Sequence, residues 1–295
     1  MVFFIFIAMV SQKFTDYLSN FIGSKIKSSQ SVSGGDISSA YLVTTESEKL
    51  FLKTNFNAND LDMFLSEEKA LKIIAETNTI AVPKVLACDT FSEYSFILME
   101  YIDSKSPDNK DLELFGSLLA RLHQITSNYF GFVSNNFIGS LHQSNKKHNN
   151  WNDFYIEERL IPQLELAYSK GLLKNSDIPK TKDMKDICLP YFHHVKPSLL
   201  HGDLWSGNYL ISKDGVPYLI DPSTYFGHNE IDIAMSKLFG RFETSFYQSY
   251  WSIHPQDDLT ESRIELYQLY YLLVHLNLFG RSYYSSVKSI LNKYF

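Results

Sequence analysis

Between His201 and Pro222 the chain carries its most informative feature, a polar loop followed by a tight hairpin. The run His201-Gly202-Asp203-Leu204-Trp205-Ser206-Gly207-Asn208 sets an acid ahead of a carboxamide. Tyr209-Leu210-Ile211 and Val216-Pro217-Tyr218-Leu219-Ile220 then read as two strands around Lys213-Asp214-Gly215, a hairpin signal. Such a hairpin brings Asn208 close to the next acid, Asp221. Phosphoryl transfer needs these groups: one carboxylate meets the proton of an attacking hydroxyl, and an amide oxygen with a second carboxylate holds the magnesium that bridges the phosphates. The plainer reading has Asp203 capping a helix, Asn208 in a turn and Asp221 closing a strand. It explains each residue singly but not the ordered set.

Composition removes several other readings. The net charge is −6 and the sequence pI about 5.8, so no basic field is offered to nucleic acid or to an anionic membrane. Apolar residues make up 44% of the 295, enough for one large or two modest cores. Cys88 and Cys188 lie far apart with no Cys-x-x-Cys or histidine cluster beside them. They read as reduced thiols of a cytoplasmic protein. The first ten residues, MVFFIFIAMV, are too few to span a bilayer and follow no basic segment, so the expectation is a poorly ordered extension or initiation at Met9.

Along the chain, Phe14, Tyr17, Leu18, Phe21 and Ile22 fall at helical spacing after Ser11, a suitable N-cap. Gly34 and Gly35 mark a turn between two extended runs, and Lys49 to Lys53 reads as a strand. Residues 61 to 77 predict a helix whose apolar face includes Phe64, Leu65 and Leu71, with Glu67 and Glu68 at its middle. Glu67, three positions after Phe64, is the acid placed toward the sheet; Glu68 reads as its solvated neighbour. The strand from Tyr94 breaks at Glu100, Tyr101, Ile102 and Asp103, a linker whose backbone could meet an adenine edge. From there helices dominate: Leu112 to Gln124, Asp153 to Lys170, and Leu259 to Gly280, where His275 reads as a satisfied core histidine. Residues 130 to 151 read as one long loop, with Lys146, Lys147 and His148 solvated. A sheet-rich first third and a helical remainder give a two-lobed α+β protein divided near Asp103.

The segment Leu199 to Asn208, with Asp221-Pro222-Ser223-Thr224-Tyr225-Phe226-Gly227-His228-Asn229-Glu230-Ile231-Asp232-Ile233-Ala234-Met235, closely resembles the fructosamine kinase (ketosamine 3-kinase) family. That family is a branch of the protein-kinase-like superfamily near the aminoglycoside phosphotransferases. The resemblance runs from about Ser31 to the end and includes Leu119-Ala120-Arg121-Leu122-His123 and Gln143-Ser144-Asn145. It implies a two-lobed protein-kinase-like fold with a small antiparallel-sheet N-lobe and a larger, mainly helical C-lobe. Residues 1–30 are then an N-terminal extension and helix, 31–102 the nucleotide-binding lobe and 103–295 the catalytic and substrate-binding lobe.

By the same resemblance Asp203 is the catalytic base, and Asn208 and Asp221 are the Mg²⁺ ligands. Lys53 and Glu67 are the phosphate-binding ion pair, Gly34 and Gly35 lie in the phosphate-covering loop, and Glu100, Tyr101, Ile102 and Asp103 form the adenine hinge. ATP and Mg²⁺ are the implied cofactors. The implied reaction is phosphorylation of the 3-hydroxyl of a ketosamine, a fructosamine or ribulosamine on a protein or a free amine. The 3-phosphate is unstable and releases the amine, which is deglycation. Trp205, Tyr225 and His228 are candidates to shape the sugar site, with packing as the alternative for each. A kinase of aminoglycoside or choline type and a catalytically silent kinase-shaped binding protein are the competing readings, and monomer or homodimer stays open. The chain departs from the family at Asp36, where many members carry a cysteine, at Ser223, where alanine is usual, and at Arg241, where glycine often stands.

Overall fold

The computed structural model describes residues 11–32, 38–240 and 242–295. Gly34 and Gly35, with the departures at Asp36 and Arg241 and the apolar decapeptide, lie outside the described residues. The chain separates into a small unit, through Ile73 and over Val82–Ser104, and a large one comprising Ile74–Ala81 and Lys105–Phe295.

The small unit is built on five antiparallel strands: β1 (Ser28–Ser31), β2 (Ser39–Thr44), β3 (Lys49–Asn55), β4 (Val85–Phe91) and β5 (Tyr94–Glu100). Their order across the sheet is β1-β2-β3-β5-β4. Side chains alternate between faces, so each strand serves two cores. Leu50, Leu52, Phe96 and Leu98 pack on one face with Phe14 and Leu18 of α1 (Gln12–Ile22). Phe51, Ile97 and Met99 pack on the other with Phe64 and Leu71 of α2 (Leu61–Glu76). The Ser11 hydroxyl accepts from the Phe14 amide to start α1, and Gly23 at φ 71° ends it in the left-handed region.

These contacts tie the helix of residues 1–30 to the small unit. The Phe14 ring lies 5.2 Å from those of both Tyr94 and Phe96, and β1 pairs with β2 from Ser28 onward. The helix belongs to the small unit's core.

In the large unit, α3 (Asn109–Leu122) opens on a capping box in which Asp108 and Asp111 exchange side-chain to backbone bonds. It approaches α8 (Thr244–Ile253) so closely that a Cβ on Gly116 would stand 2.2 Å from the Phe246 carbonyl oxygen. At the centre runs α9 (Thr260–Phe279), buried on nearly every side and closed by Gly280 at φ 87°. His275 hydrogen-bonds the Tyr271 carbonyl. The expected long loop contains a hairpin, β6 (Asn136–Ile138) with β7 (Leu141–Gln143). Of its basic residues Lys146 and Lys147 are exposed as expected, the Lys147 ammonium 4.1 Å from the Tyr129 ring centre, whereas His148 pairs with Glu158 at 2.8 Å. The helix expected from Asp153 begins at Trp151 and runs as α4 (Trp151–Phe154), a π-helical turn (Tyr155–Leu160) and α5 (Ile161–Ser169). Among the described residues no helix is long and apolar enough to cross a membrane.

Phe14→Ala is expected to cost the small unit about 3–5 kcal/mol, whereas Phe21→Ala, at a position 52% exposed, should stay within about 0.5 kcal/mol of the parent. Urea denaturation of the two variants checks this, and equal midpoints would remove α1 from the core.

Candidate active site

Lys53 reaches its partner through strand alternation. Leu50 and Leu52 face α1, so Phe51 and Lys53 face α2. On α2, Glu67 falls between buried Phe64 and Leu71 at spacings of three and four, which puts it on the sheet-facing stripe. The result is an ion pair, Lys53 Nζ to Glu67 Oε1 at 2.8 Å, with both side chains almost covered. The neighbouring linker leaves the ladder at Glu100, whose amide donates to the Lys84 carbonyl while its carboxylate accepts from the Lys84 amide. The Lys49 ammonium stands 5.8 Å from the Tyr101 ring centre, Ile102 is buried and Asp103 is exposed.

The large unit holds the other predicted residues. Strands β9 (Tyr209–Ser212) and β10 (Pro217–Leu219), following the short β8 (Ser198–Leu199), pair Tyr209 with Leu219. The Ile220 amide then donates to the Asn208 carbonyl at 3.1 Å, so the hairpin fixes Asn208 beside the chain leading into Asp221. Asp221 has φ 55°, a strained setting for a non-glycine residue that turns the backbone sharply after the strand. The Asn208 amide nitrogen donates to the Asp203 carbonyl at 2.9 Å and to its carboxylate at 3.2 Å. Its Oδ1 is thereby the atom left to meet a cation. An amide oxygen and a carboxylate are hard oxygen donors of the kind Mg²⁺ takes, so the set fits that ion.

What holds Asp203 in place is a buried carboxylate that the sequence did not single out. Asp232, on α7 (Glu230–Leu238), accepts from the amides of His201 and Gly202, both at 2.8 Å, and meets His123 Nε2 at 3.0 Å. Asn229 donates to the Tyr250 hydroxyl, which leaves that hydroxyl's proton for His123 Nδ1 and directs the ring's Nε2–H at Asp232. His201 Nδ1 accepts from the Asp203 amide, so its Nε2–H donates to the Ile220 carbonyl. Burial lowers the His201 pKa and keeps that ring neutral. Gly202, at φ 88°, admits no side chain: a Cβ would lie 2.1 Å from the Ser223 carbonyl oxygen. The available signal for Asp232 was a lone acid inside the apolar run Ile231-Asp232-Ile233-Ala234-Met235. Burial and then the nearby Asp232 charge raise the Asp203 carboxyl to about 7, against the opposing Asn208 hydrogen bond.

Of the three sugar-site candidates, one retains open surface. Trp205 is 39% exposed, its indole laid over Gly207. Tyr225 is instead wholly buried beneath the Arg159 guanidinium, 3.9 Å from its ring centre. His228 is nearly covered, bonded through Nδ1 to the Tyr267 hydroxyl, and burial drives its pKa down to about 3. Both side chains are thus engaged with protein partners.

Asp232→Asn would turn an NH₂ donor toward backbone donors. It is expected to cost about 1–3 kcal/mol for each buried amide left unsatisfied and to lower turnover with it, read by thermal unfolding and initial rates on one preparation. Unchanged values for both would contradict the anchoring role.

A family model described as fructosamine kinase matches residues 10–295. A protein of Vibrio parahaemolyticus named a probable ketoamine kinase is 38% identical over 264 residues, covering 89% of this chain and 90% of that one. The chloroplastic protein-ribulosamine 3-kinase of Arabidopsis thaliana is 40% identical over 272 residues, covering 90% and 81%. Among solved structures, a Haemophilus somnus protein assigned as a fructosamine-3-kinase superposes with TM-score 0.86 at 30% identity, covering 96% of each chain. An aminoglycoside phosphotransferase superposes with TM-score 0.64 at 18% identity, covering 95% and 98%, a likeness of fold alone.

Proposed function

The chain belongs to the fructosamine kinase family, and from that premise we propose how its residues phosphorylate a ketosamine at the 3-hydroxyl. It is an ATP-dependent kinase of ketosamines with a protein-kinase-like fold. The likeness to aminoglycoside phosphotransferases lies below 25% identity and carries no substrate with it.

The observation that carries the mechanism is the bond network around Asp203. The carboxylate of Asp203 takes the proton of the sugar hydroxyl as that oxygen attacks the γ-phosphorus in line, and ADP departs. His201 and Asp232 fix its backbone, while Asn208 both braces the carboxylate and offers Oδ1, with Asp221, to the cation. Asn208 Oδ1 and Asp221 would hold Mg²⁺, which would supply neutralisation of charge on the transferring phosphoryl group. Lys53, oriented by Glu67, is the cation for the α- and β-phosphates, and the backbone of Glu100, Tyr101, Ile102 and Asp103 receives the adenine. Gly34 and Gly35 are assigned to the phosphate-covering loop. The phosphorylated ketosamine then eliminates its amine, so deglycation is the outcome. Residues 31–102 serve nucleotide binding and 103–295 serve chemistry and substrate, with α1 as structural support for the former. The plant relative is named chloroplastic; for this chain, whose two cysteines are both free, we assign the cytoplasm.

Asp203→Asn keeps the side chain's size and removes its basicity. Turnover of a ribulosamine should fall by about 10²–10⁴ with Mg-ATP affinity unchanged in calorimetry; full turnover would remove Asp203 from the mechanism. For Trp205, whose exposed indole is assigned to the sugar, the informative change is Gly207→Ala. The added Cβ would stand 2.4 Å from the indole and must displace it, so KM for the ketosamine should rise several-fold while KM for ATP holds. A parallel rise in both would place Trp205 outside the sugar site.

A further inference from the structure

We propose that His148, Glu157 and Glu158 form a binding site for a divalent transition metal of the zinc type, separate from the catalytic loop. The ligating atoms of the three side chains lie within 4.8 Å of one another. His148 Nε2 and Glu158 Oε1 are 2.8 Å apart, and those two side chains are 11% and 9% exposed. One imidazole nitrogen and two carboxylate oxygens, with water in the fourth position, are a set that zinc takes at about 2.0–2.2 Å. A tetrahedral ion at such distances spaces its ligands about 3.4 Å apart. Rotation of Glu157, whose side chain is 38% exposed, closes the set.

The fold brings these groups together from separate elements. His148 is anchored by reciprocal backbone bonds with Phe130 at 2.9 and 3.0 Å. Glu157 and Glu158 are successive residues of the π-helical turn, a local irregularity frequent at functional sites. Asp153, four positions before Glu157, adds a third carboxylate. Against these acids the contacts place one ammonium, Lys185, 2.5 Å from both Asp153 and Glu157. Three carboxylates and one lysine leave an excess of negative charge, in part covered from water, and a dication offsets it. Lys185 keeps Asp153 when Glu157 turns to the metal. Bound metal would tie the 130–148 segment to the helical stretch bearing Arg159, which already holds the Ser144 carbonyl and the Asn145 side chain.

The test is equilibrium dialysis of chelator-treated full-length protein against zinc alone, with bound metal counted by mass spectrometry. The parent is compared with His148→Ala and with Glu157→Gln, each checked for fold by circular dichroism. The parent should bind one more equivalent of zinc than either variant, or bind it at least tenfold more tightly. Should His148→Ala fail to fold, the half-exposed Glu157→Gln carries the comparison. Equal stoichiometry and affinity in parent and variants would overturn the site, including the case in which all the zinc sits on the catalytic oxygens.

Discussion

The Asp232 carboxylate is the constraint around which the catalytic loop is built. It has no exposed surface, and three donors converge on it from two different parts of the chain. A buried carboxylate is costly unless its lone pairs are filled, and hydrogen bonds to an ionised acceptor are among the stronger ones available. The amides of His201 and Gly202 point at α7, which fixes the backbone that leads into Asp203. Gly202 permits this because its φ of 88° and its contact with the Ser223 carbonyl leave no room for a Cβ. The Tyr271 hydroxyl donates to the Gly202 carbonyl, so both backbone polar groups of that residue are held.

The same carboxylate acts electrostatically. Its charge contributes, after burial, to raising the Asp203 carboxyl toward neutrality. An acceptor with a pKa near the working pH takes up a hydroxyl proton more readily than an ordinary aspartate. The side chain that anchors the loop thus also adds, after burial, to the rise in the pKa of the base. In the small unit the corresponding economy is strand alternation, which sends Leu50 and Leu52 into one core and Lys53 toward Glu67 on the other face.

Much of this was legible because the decisive patterns are local. The faces that Lys53 and Glu67 occupy follow from period-two and period-3.6 spacing, their pairing from the family resemblance, and the closeness of Asn208 to the Asp221 backbone from the hairpin at Lys213-Asp214-Gly215. What escaped depends on tertiary partners. Asp232 lies 30 positions from Gly202, and nothing in either segment names the other. The β6 and β7 strands are short and bury Asn136 and Gln143 as well as Ile138, the two amides held by bonds to the Thr224 carbonyl and the Ser223 hydroxyl. Ser223, a departure from the family's alanine, thus has a partner the sequence could not supply. Tyr225 and His228 are sugar-site candidates by sequence position alone, which does not reveal their contacts with the Arg159 guanidinium and the Tyr267 hydroxyl. For α1 the helix was evident from Phe14 and Leu18, but the sheet face that covers it was not.

The central claim is that this loop geometry serves phosphorylation of a ketosamine. Its most direct test is incubation of the purified protein with Mg-ATP and a panel of fructosamines, ribulosamines, an aminoglycoside and choline, followed by phosphorus NMR and mass detection of the products. The account predicts a phosphate ester at the 3-position of one or more ketosamines, followed by release of the free amine. Turnover confined to the aminoglycoside or choline, with every ketosamine untouched, would contradict it.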